Sequence, residues 1–169
     1  MRPWSCIVAV TRSEETLALA LERKIIDAGG TSPEEILKDC DLVILALYPT
    51  DIIEYVLKHR RIWHKGQLLL DVAGLKAGIV HTLQAELDEV EFIGTHPMAG
   101  REVSGLKAAR EELFLGTNFI ITPTPLNTQE GLAAVREMAT LLGVKNIFEM
   151  SPEEHDELIA YTSHMPHIL

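Results

Sequence analysis

The sequence contains few cysteines and no long apolar segment. Its two cysteines, Cys6 and Cys40, have a spacing that matches no metal-binding or redox motif. Two cysteines cannot build a disulfide framework, so we expect a reducing compartment and predict the cytoplasm. No apolar segment approaches the length that crosses a bilayer, and residues 1–5 lack the apolar core of a signal peptide. We therefore predict a soluble protein without a membrane partner.

Positive charge is also scarce. Lysine and arginine number 15 against 25 aspartate and glutamate residues, which gives a formal net charge of −10. Such a charge repels the nucleic-acid backbone, so we predict no nucleic-acid partner. It still permits a small anionic substrate, because a local basic pocket can exist on an acidic protein. The 169 residues suffice for one domain with a sizeable core.

Short apolar segments alternate with segments of helical character along nearly the whole chain. We predict strands over residues 6–10, 42–47, 67–71, 92–95, 118–122 and 144–150, with helices between them. This order favours an α/β fold with a doubly wound, mostly parallel sheet and helices on both faces. Residues 42–47 (LVILAL) show no alternation, which is typical of a strand covered on both faces. We expect the first helix to open at Ser13 and run to Gly29 and Gly30, and a short helix over residues 107–113.

A histidine follows the apolar segment 92–95 and precedes a loop that contains proline and glycine. This residue, His96, is our candidate catalytic group, because loops held by a rigid scaffold carry many catalytic residues. Ligands of such sheets lie beyond the carboxyl ends of the strands. The alternative is a histidine that only caps a backbone carbonyl. Other polar or turn-forming segments follow the predicted strands at residues 11–12, 48–50 and 71–74.

Two motifs resemble those of the prephenate dehydrogenase family, which serves the tyrosine branch of aromatic amino-acid synthesis. Residues 94–100 (GTHPMAG), with Ser104 and Gly105 after them, resemble the family's His-Pro-Met-Ala-Gly signature. Residues 152–156 (PEEHD) and 162–167 (TSHMPH) resemble its second signature. The resemblance covers essentially all residues. It implies a partial, Rossmann-like dinucleotide-binding domain over residues 1–150 and the start of an interdomain helix over residues 151–169.

The resemblance implies an oxidoreductase that converts prephenate to 4-hydroxyphenylpyruvate. In the family's reaction, a hydride passes from the ring carbon that bears the hydroxyl to a nicotinamide, and the ring carboxylate leaves as CO2. The role implied for His96 is to accept a hydrogen bond, and then the proton, from that hydroxyl. An imidazole suits this task because its ordinary pKa lies near neutrality. Arogenate dehydrogenases share both motifs, so arogenate stays open as the substrate, and an inactive binding remnant is a further alternative.

We predict substrate contacts at His164, Arg101, Ser104 and Lys76; the resemblance implies that of His164, whereas Arg101 stands where many relatives have a smaller residue. His164 would lie at the substrate end of the cleft, or else it packs between helices. Arg101 could pair bidentately with a substrate carboxylate, or form a surface ion pair with a nearby glutamate. Lys76 could reach the site or remain solvated in a first helical turn.

The histidines of the second signature also permit a weaker interpretation as metal ligands. His164 and His167 stand three apart, and His155 or Glu154 could join them. No cysteine or Glu-x-x-His partner completes such a set, so we predict no metal. We expect His155 itself to be a solvated or capping residue.

The cofactor half lacks the glycine-rich Gly-x-Gly-x-x-Gly turn of dinucleotide-binding folds. Matched to the family, residues 6–10 form the second strand, so we expect an N-terminally truncated domain with its first βα unit upstream of Met1. A helical dimerisation domain is expected after Leu169, and a homodimer for the full-length form. The missing strand would leave an unpaired sheet edge, so we expect the isolated chain to self-associate.

The remaining cofactor contacts are implied at the ends of three strands. Relatives selective for NAD carry an acid where this chain has Thr11, Arg12 and Ser13, a set that suits a 2′-phosphate. The cofactor is therefore NAD or NADP, and we favour NADP. The alternative is that Arg12 is merely exposed and Ser13 merely a helix cap. Tyr48 and Pro49 would flank the nicotinamide ribose.

Gly74 is a departure from the family's pattern. It stands where the family's Asp-x-Gly-Ser-x-Lys segment has a serine, within residues 71–76 (DVAGLK). That serine donates a hydrogen bond near the reacting hydroxyl and the nicotinamide. We expect the backbone of Gly74 or a water to replace this contact, or the activity to be reduced.

Overall fold

A computed structural model describes residues 6–100 and 105–161 of the chain. Its strands are β1 (Val8–Val10), β2 (Ala28–Gly30), β3 (Leu42–Leu45), β4 (Leu68–Asp71), β5 (Glu91–Pro97), β6 (Asn118–Thr122) and β7 (Asn146–Glu149). Its α-helices are α1 (Glu14–Glu22), α2 (Pro33–Ile36), α3 (Pro49–Lys58), α4 (Ala77–Glu86), α5 (Gln129–Leu141) and α6 (Pro152–Ile159). Three short 3₁₀ helices are Leu37–Asp39, Leu106–Ala108 and Glu111–Phe114. None of these described helices is long and apolar enough to span a membrane.

The strands form two sheets that confirm the predicted α/β class. β1 pairs with β2 in parallel, and a second sheet has the order β3-β4-β5-β6-β7. Its neighbours are parallel except β5 and β6, which run antiparallel. Among the described strands, β1, β2, β3 and β7 each have a partner on one side alone. Each therefore presents a free edge.

Helices cover both faces of the larger sheet, because neighbouring strand residues point to opposite sides. Leu69 and Phe92 pack with α3 and α4 residues in one buried cluster. Leu70 and Ile93, the next residues along their strands, pack with α5 residues in a second cluster. The two clusters hold the sheet between layers of helix. Because β3, β4 and β5 are parallel, their carboxyl ends meet at one edge.

The prediction that the first helix reaches the glycine pair is wrong. α1 opens at Ser13 as expected but ends at Glu22, and Gly29 and Gly30 belong to strand β2. A Cβ on Gly29 would lie 2.5 Å from the carbonyl oxygen of Ala9 and 2.6 Å from Leu17 Cδ1. Only glycine permits this close approach of β2 to β1 and α1. Strand β2 contains no β-branched residue, so its composition does not predict a strand.

Two other expectations need correction. In β3, Val43 and Leu45 are buried, but Ile44 is 49% exposed, so the strand is not covered on both faces. Ile44 pairs with Leu70 and so lies on the face that α5 covers, but it is not part of the cluster buried there. The short helix predicted over residues 107–113 is replaced by two 3₁₀ turns, Leu106–Ala108 and Glu111–Phe114.

Candidate functional site

His96 lies near the carboxyl end of β5, at the edge where the parallel strands end. Its half-buried ring borders a cavity of about 540 Å³. The loop after β5, the Glu111–Phe114 turn and α6 supply the other walls, with the residues Val72, Pro97, Met98, Ala99, Gly100, Leu113, Phe114 and Ile159. Among these described lining residues, His96 alone has a titratable side chain. The site therefore combines one imidazole with apolar walls, as small-molecule pockets commonly do.

A chain of hydrogen bonds runs from His96 through His155 to Asp156. His96 Nδ1 lies 2.9 Å from His155 Nε2, and His155 Nδ1 lies 2.8 Å from Asp156 Oδ1. His155 is fully buried. The expectation that His155 is a solvated or capping residue is therefore wrong. The cause is the packing of α6 against α4, which turns this face of the first helical turn inward.

The N-terminal end of α4 fixes Asp156. The backbone N–H of Lys76 donates to Asp156 Oδ1 at 2.8 Å, and that of Ala77 donates to Oδ2 at 2.9 Å. Burial alone would raise the pKa of Asp156, but the hydrogen bonds from His155, Ala77 and Lys76 lower it below its ordinary value. Asp156 is therefore an ionised acceptor that holds α6 against α4.

His96 is neutral at physiological pH. Burial, the largest cause, together with His155 and Lys76 lowers the pKa of His96 to about 4, and Asp156 acts in the opposite direction. A neutral imidazole has one nitrogen free to accept a proton. Within the described part of the chain, no hydrogen bond is formed to His96 Nε2. The site can therefore offer an unprotonated nitrogen to a hydroxyl group in the cavity.

A buried ion pair lies behind His96. The Lys76 ammonium donates to Asp71 Oδ2, and neither side chain has exposed surface. Asp71 also accepts hydrogen bonds from the backbone N–H groups of Ala73 and Thr95, each at 3.1 Å. Burial raises the pKa of Asp71 and lowers that of Lys76. The pair ties the turn after β4 to β5, and the substrate contact of Lys76 stays a prediction because its ammonium bonds Asp71.

Two glycines make room around this pair and around His96. A Cβ on Gly94 would overlap the side chains of Thr122 and Val80 and would lie 3.2 Å from Lys76 Cδ. A Cβ on Gly74 would instead lie 3.8 Å from both Cε1 and Nε2 of His96, in ordinary contact. Gly94 is therefore required by packing. Gly74 leaves open space where the resemblance places a serine.

The predicted cofactor residues follow β1 and β3. Thr11 Oγ1 accepts from Ser13 N–H at 3.3 Å, and Ser13 Oγ accepts from Thr16 N–H at 3.1 Å as the cap of α1. Arg12 is exposed. Tyr48 is 77% exposed and Pro49 is the first residue of α3. Cofactor contact by these residues stays a prediction.

Three predicted substrate residues, Arg101, Ser104 and His164, lie outside the described residues. So does His167, a member of the weaker metal set. Across residues 6–100 and 105–161, no group of three or more histidine, cysteine, aspartate or glutamate side chains could hold a metal ion.

The sheet order and the strand-end site are those of a Rossmann-like nucleotide-binding domain. The chain belongs to one family within this class, described as "Prephenate dehydrogenase, nucleotide-binding domain", whose sequence model matches residues 2–148. This match confirms the family predicted from the two motifs.

Comparison with individual proteins gives the same family. The chain is 34% identical to the prephenate dehydrogenase of Bacillus subtilis, over 99% of the chain and 45% of that protein. A crystal structure of A. aeolicus prephenate dehydrogenase with hydroxyphenyl propionate and NAD+ has a TM-score of 0.89 at 29% identity, over 98% of the chain and 58% of that structure. Synechocystis arogenate dehydrogenase has a TM-score of 0.88 at 30% identity, over 95% and 56%. The chain thus spans about half the length of the proteins it matches.

Sequence reasoning missed the partners of His96. The histidine and aspartate of residues 152–156 (PEEHD) stand next to each other in the first turns of a helix. We expected His155 to be a solvated or capping residue and predicted no role for Asp156. The available signal was that an aspartate directly follows the histidine inside a motif that the family shares. Their contact with His96 spans 59 residues of sequence and depends on how α6 packs.

Proposed function

We propose that this chain is the nucleotide-binding and catalytic part of an NAD(P)-dependent prephenate dehydrogenase, which converts prephenate to 4-hydroxyphenylpyruvate and CO2. The observation that carries the proposal is a neutral His96 at the end of β5, beside a largely apolar cavity. Membership of the prephenate dehydrogenase family supports the same reaction. The cavity walls suit the hydrocarbon ring of the substrate.

His96 acts on the ring hydroxyl in this proposal. Its Nε2 accepts a hydrogen bond from the hydroxyl and takes the proton as the C–H bond on the same carbon breaks and carbonyl character develops. A bound nicotinamide supplies the acceptor for the hydride. The bond to the ring carboxylate then breaks, CO2 leaves, and its electron pair completes the aromatic ring, whose phenolate oxygen recovers the proton. General-base assistance of this kind contributes roughly 10²–10⁴-fold to a rate.

The residues near His96 fit a nicotinamide cofactor. Gly74 leaves open space beside His96, and only His96 atoms of the described residues would lie within 4 Å of a Cβ there. Tyr48 and Pro49 stand at the end of the neighbouring strand β3, where they would flank the ribose. A dinucleotide in a Rossmann-like sheet lies across these carboxyl ends.

We propose NADP as the preferred cofactor. Thr11 and Ser13 use their oxygens as acceptors, so each hydroxyl keeps a hydrogen to donate to a 2′-phosphate. Arg12 is exposed between them. The test is the ratio of kcat/KM for NADP to that for NAD in the full-length enzyme. Arg12→Ala should lower the ratio about tenfold or more, since a charged hydrogen bond is worth about 1.5–3 kcal/mol. Arg61→Ala, at an exposed arginine after α3, should not change it. Equal use of both cofactors by wild type would contradict this preference.

The domain arrangement proposed is a partial dinucleotide-binding domain over residues 1–150 and the start of an interdomain helix over residues 151–169. In support, α6 begins at Pro152 and brings His155 and Ile159 to the site. Arg101, Ser104 and His164 are proposed to hold the substrate's carboxylates and side chain. A homodimer is proposed for the full-length form.

The test of the function is product formation by the full-length enzyme. Prephenate should yield NAD(P)H, CO2 and 4-hydroxyphenylpyruvate in equal amounts. Arogenate is the alternative substrate, favoured by the similarity to Synechocystis arogenate dehydrogenase, and higher kcat/KM with arogenate would replace prephenate in the proposal. A folded enzyme that binds cofactor but turns over neither substrate would overturn the function.

A further inference from the structure

Two sets of hydrogen bonds fix the first turns of α6, where His155 and Asp156 lie. Ser151 Oγ accepts from Glu154 N–H at 3.2 Å, and Glu154 Oε2 accepts from Ser151 N–H at 2.8 Å, a reciprocal capping box. Asp156 is then fixed by two backbone N–H groups of α4, those of Lys76 and Ala77. The helix cap on one side of His155 and the Asp156 contacts on the other therefore fix its position relative to His96.

The hydrogen bonds determine where the protons lie. The Asp156 carboxylate can only accept, so His155 Nδ1 must donate to it. In a neutral His155, Nε2 then has a lone pair and must accept from His96 Nδ1–H. His96 Nε2 is left without a proton. This one neutral arrangement gives each hydrogen bond between His96, His155 and Asp156 one donor and one acceptor.

One competing arrangement exists. If His155 carried a proton on both nitrogens, its Nε2–H would donate to His96 Nδ1, and the proton of His96 would move to Nε2. The neutral arrangement, by contrast, places no charge on the fully buried side chain of His155. The charged groups near the pair are Asp156, Lys76 and, bound to Lys76, Asp71. Asp156 attracts a positive charge on the two histidines, and Lys76 repels it, in the same sense in which the two groups act on the pKa of His96.

We propose that His155 and Asp156 are positioning residues that hold His96 as the Nδ1–H tautomer and thereby leave Nε2 as the base toward the cavity. The assignment of Nε2 as a base rests on the proposed dehydrogenase function, whereas the tautomer does not. During the reaction, the proton taken by Nε2 makes His96 positive. Nδ1–H then donates more strongly to His155, whose own proton is held by the Asp156 carboxylate. The pair thus stabilises the imidazolium as well as orienting the ring.

The test measures the tautomer directly. In the full-length protein labelled with ¹⁵N, the imidazole nitrogens of His96 are assigned by their loss in His96→Asn. At pH 7 and without substrate, we expect a protonated Nδ1 and an unprotonated Nε2. His155→Gln keeps an acceptor for Nδ1–H and should keep this tautomer. His155→Leu removes the acceptor and should populate the Nε2–H form.

Kinetics provide the second readout. His155→Leu should lower kcat for prephenate by about 10–100-fold with little change in KM, the loss typical when a group that orients a metal-bound histidine is removed. His155→Gln should recover most of that loss. Asp156→Asn should behave like His155→Leu, because an amide cannot accept both backbone N–H groups and His155.

The outcomes separate this proposal from the proposed function. A protonated Nε2 on His96 in the wild type, or an unchanged tautomer in His155→Leu, would overturn the positioning role. Circular dichroism shows whether His155→Leu folds. If it does not, the ¹⁵N spectra of the other two variants decide. The proposal requires His96 to keep its tautomer in His155→Gln and to lose it in Asp156→Asn. The expected tautomers in a protein without dehydrogenase activity would leave the positioning role standing and overturn only the function.

Discussion

The ammonium of Lys76 bonds the carboxylate of Asp71 with neither side chain exposed to solvent. The pair joins the turn after β4 to the start of α4, and Asp71 also binds the backbone of Thr95 in β5. It therefore stands directly behind His96, at the point where three elements meet. Gly94 lies beside the pair, and its lack of a side chain leaves room for the side chain of Lys76.

Removing one member of this pair should destabilise the fold. Lys76→Met leaves Asp71 charged and buried. Removing one partner of a buried ion pair lowers the free energy of unfolding by about 3–5 kcal/mol. Urea unfolding of the variant and the wild type measures the difference in free energy of unfolding. The double variant Asp71→Asn with Lys76→Met should be less destabilised than Lys76→Met alone. A loss below about 1 kcal/mol in Lys76→Met would show that the pair does not support the turn.

His96 should titrate far below an ordinary histidine. Burial, His155 and Lys76 lower its pKa to about 4, against Asp156. An NMR titration should therefore show His96 neutral at pH 5 and half-protonated near pH 4. Lys76→Met should raise this pKa if the variant folds, because it removes a nearby positive charge. Titration of His96 near 6.5 in the wild type would contradict the description of the site.

The same shift makes stability depend on pH. In the unfolded chain His96 has its ordinary pKa of 6.5, so as the pH falls the unfolded state binds a proton before the folded state does. The contribution of His96 to stability is complete above pH 6.5 and is lost between there and about pH 4. His96→Asn should reduce the acid-induced loss of stability over this window. Parallel stability profiles of the two proteins would count against a depressed pKa.

Gly74→Ser should fold normally and raise activity a few fold. Among the described residues, a Cβ at this position would meet only His96, at 3.8 Å, so the added hydroxyl lies within reach of Nε2 and of a substrate hydroxyl. The resemblance gives the family a serine there. Gly74→Ala fills the same space without a hydroxyl and is the matched control for kcat/KM. Equal activity of the serine and alanine variants would show that the hydroxyl has no role here.

The free edges of β1 and β3 should make residues 1–169, expressed alone, associate with themselves. Ile44 is 49% exposed on β3, whose outer edge pairs with no described strand. Analytical ultracentrifugation should detect oligomers, and Ile44→Lys should reduce them. Leu126→Lys, at an exposed leucine in the turn before α5, is the control and should not. A monomer at all concentrations would contradict this expectation.

The sequence was informative where a local pattern decides the structure. The apolar segments before Asp71 and His96 predicted β4 and β5 because parallel strands covered by helices are continuously apolar. It was uninformative where packing decides. Strand β2 forms because its glycines allow it to pair closely with β1. His155 is buried because Asp156 binds the N-terminal end of α4. A contact across 59 residues has no local signal.

The most direct measurement of the central claim is kcat/KM for prephenate in the full-length His96→Asn variant. Asparagine keeps a polar side chain at the end of β5 but cannot take the proton, so kcat/KM should fall by roughly 10²–10⁴-fold. His64→Asn, at an exposed histidine before β4 on the opposite end of the sheet, should match the wild type. A His96→Asn enzyme as active as the wild type would contradict the assignment of His96 as the proton acceptor.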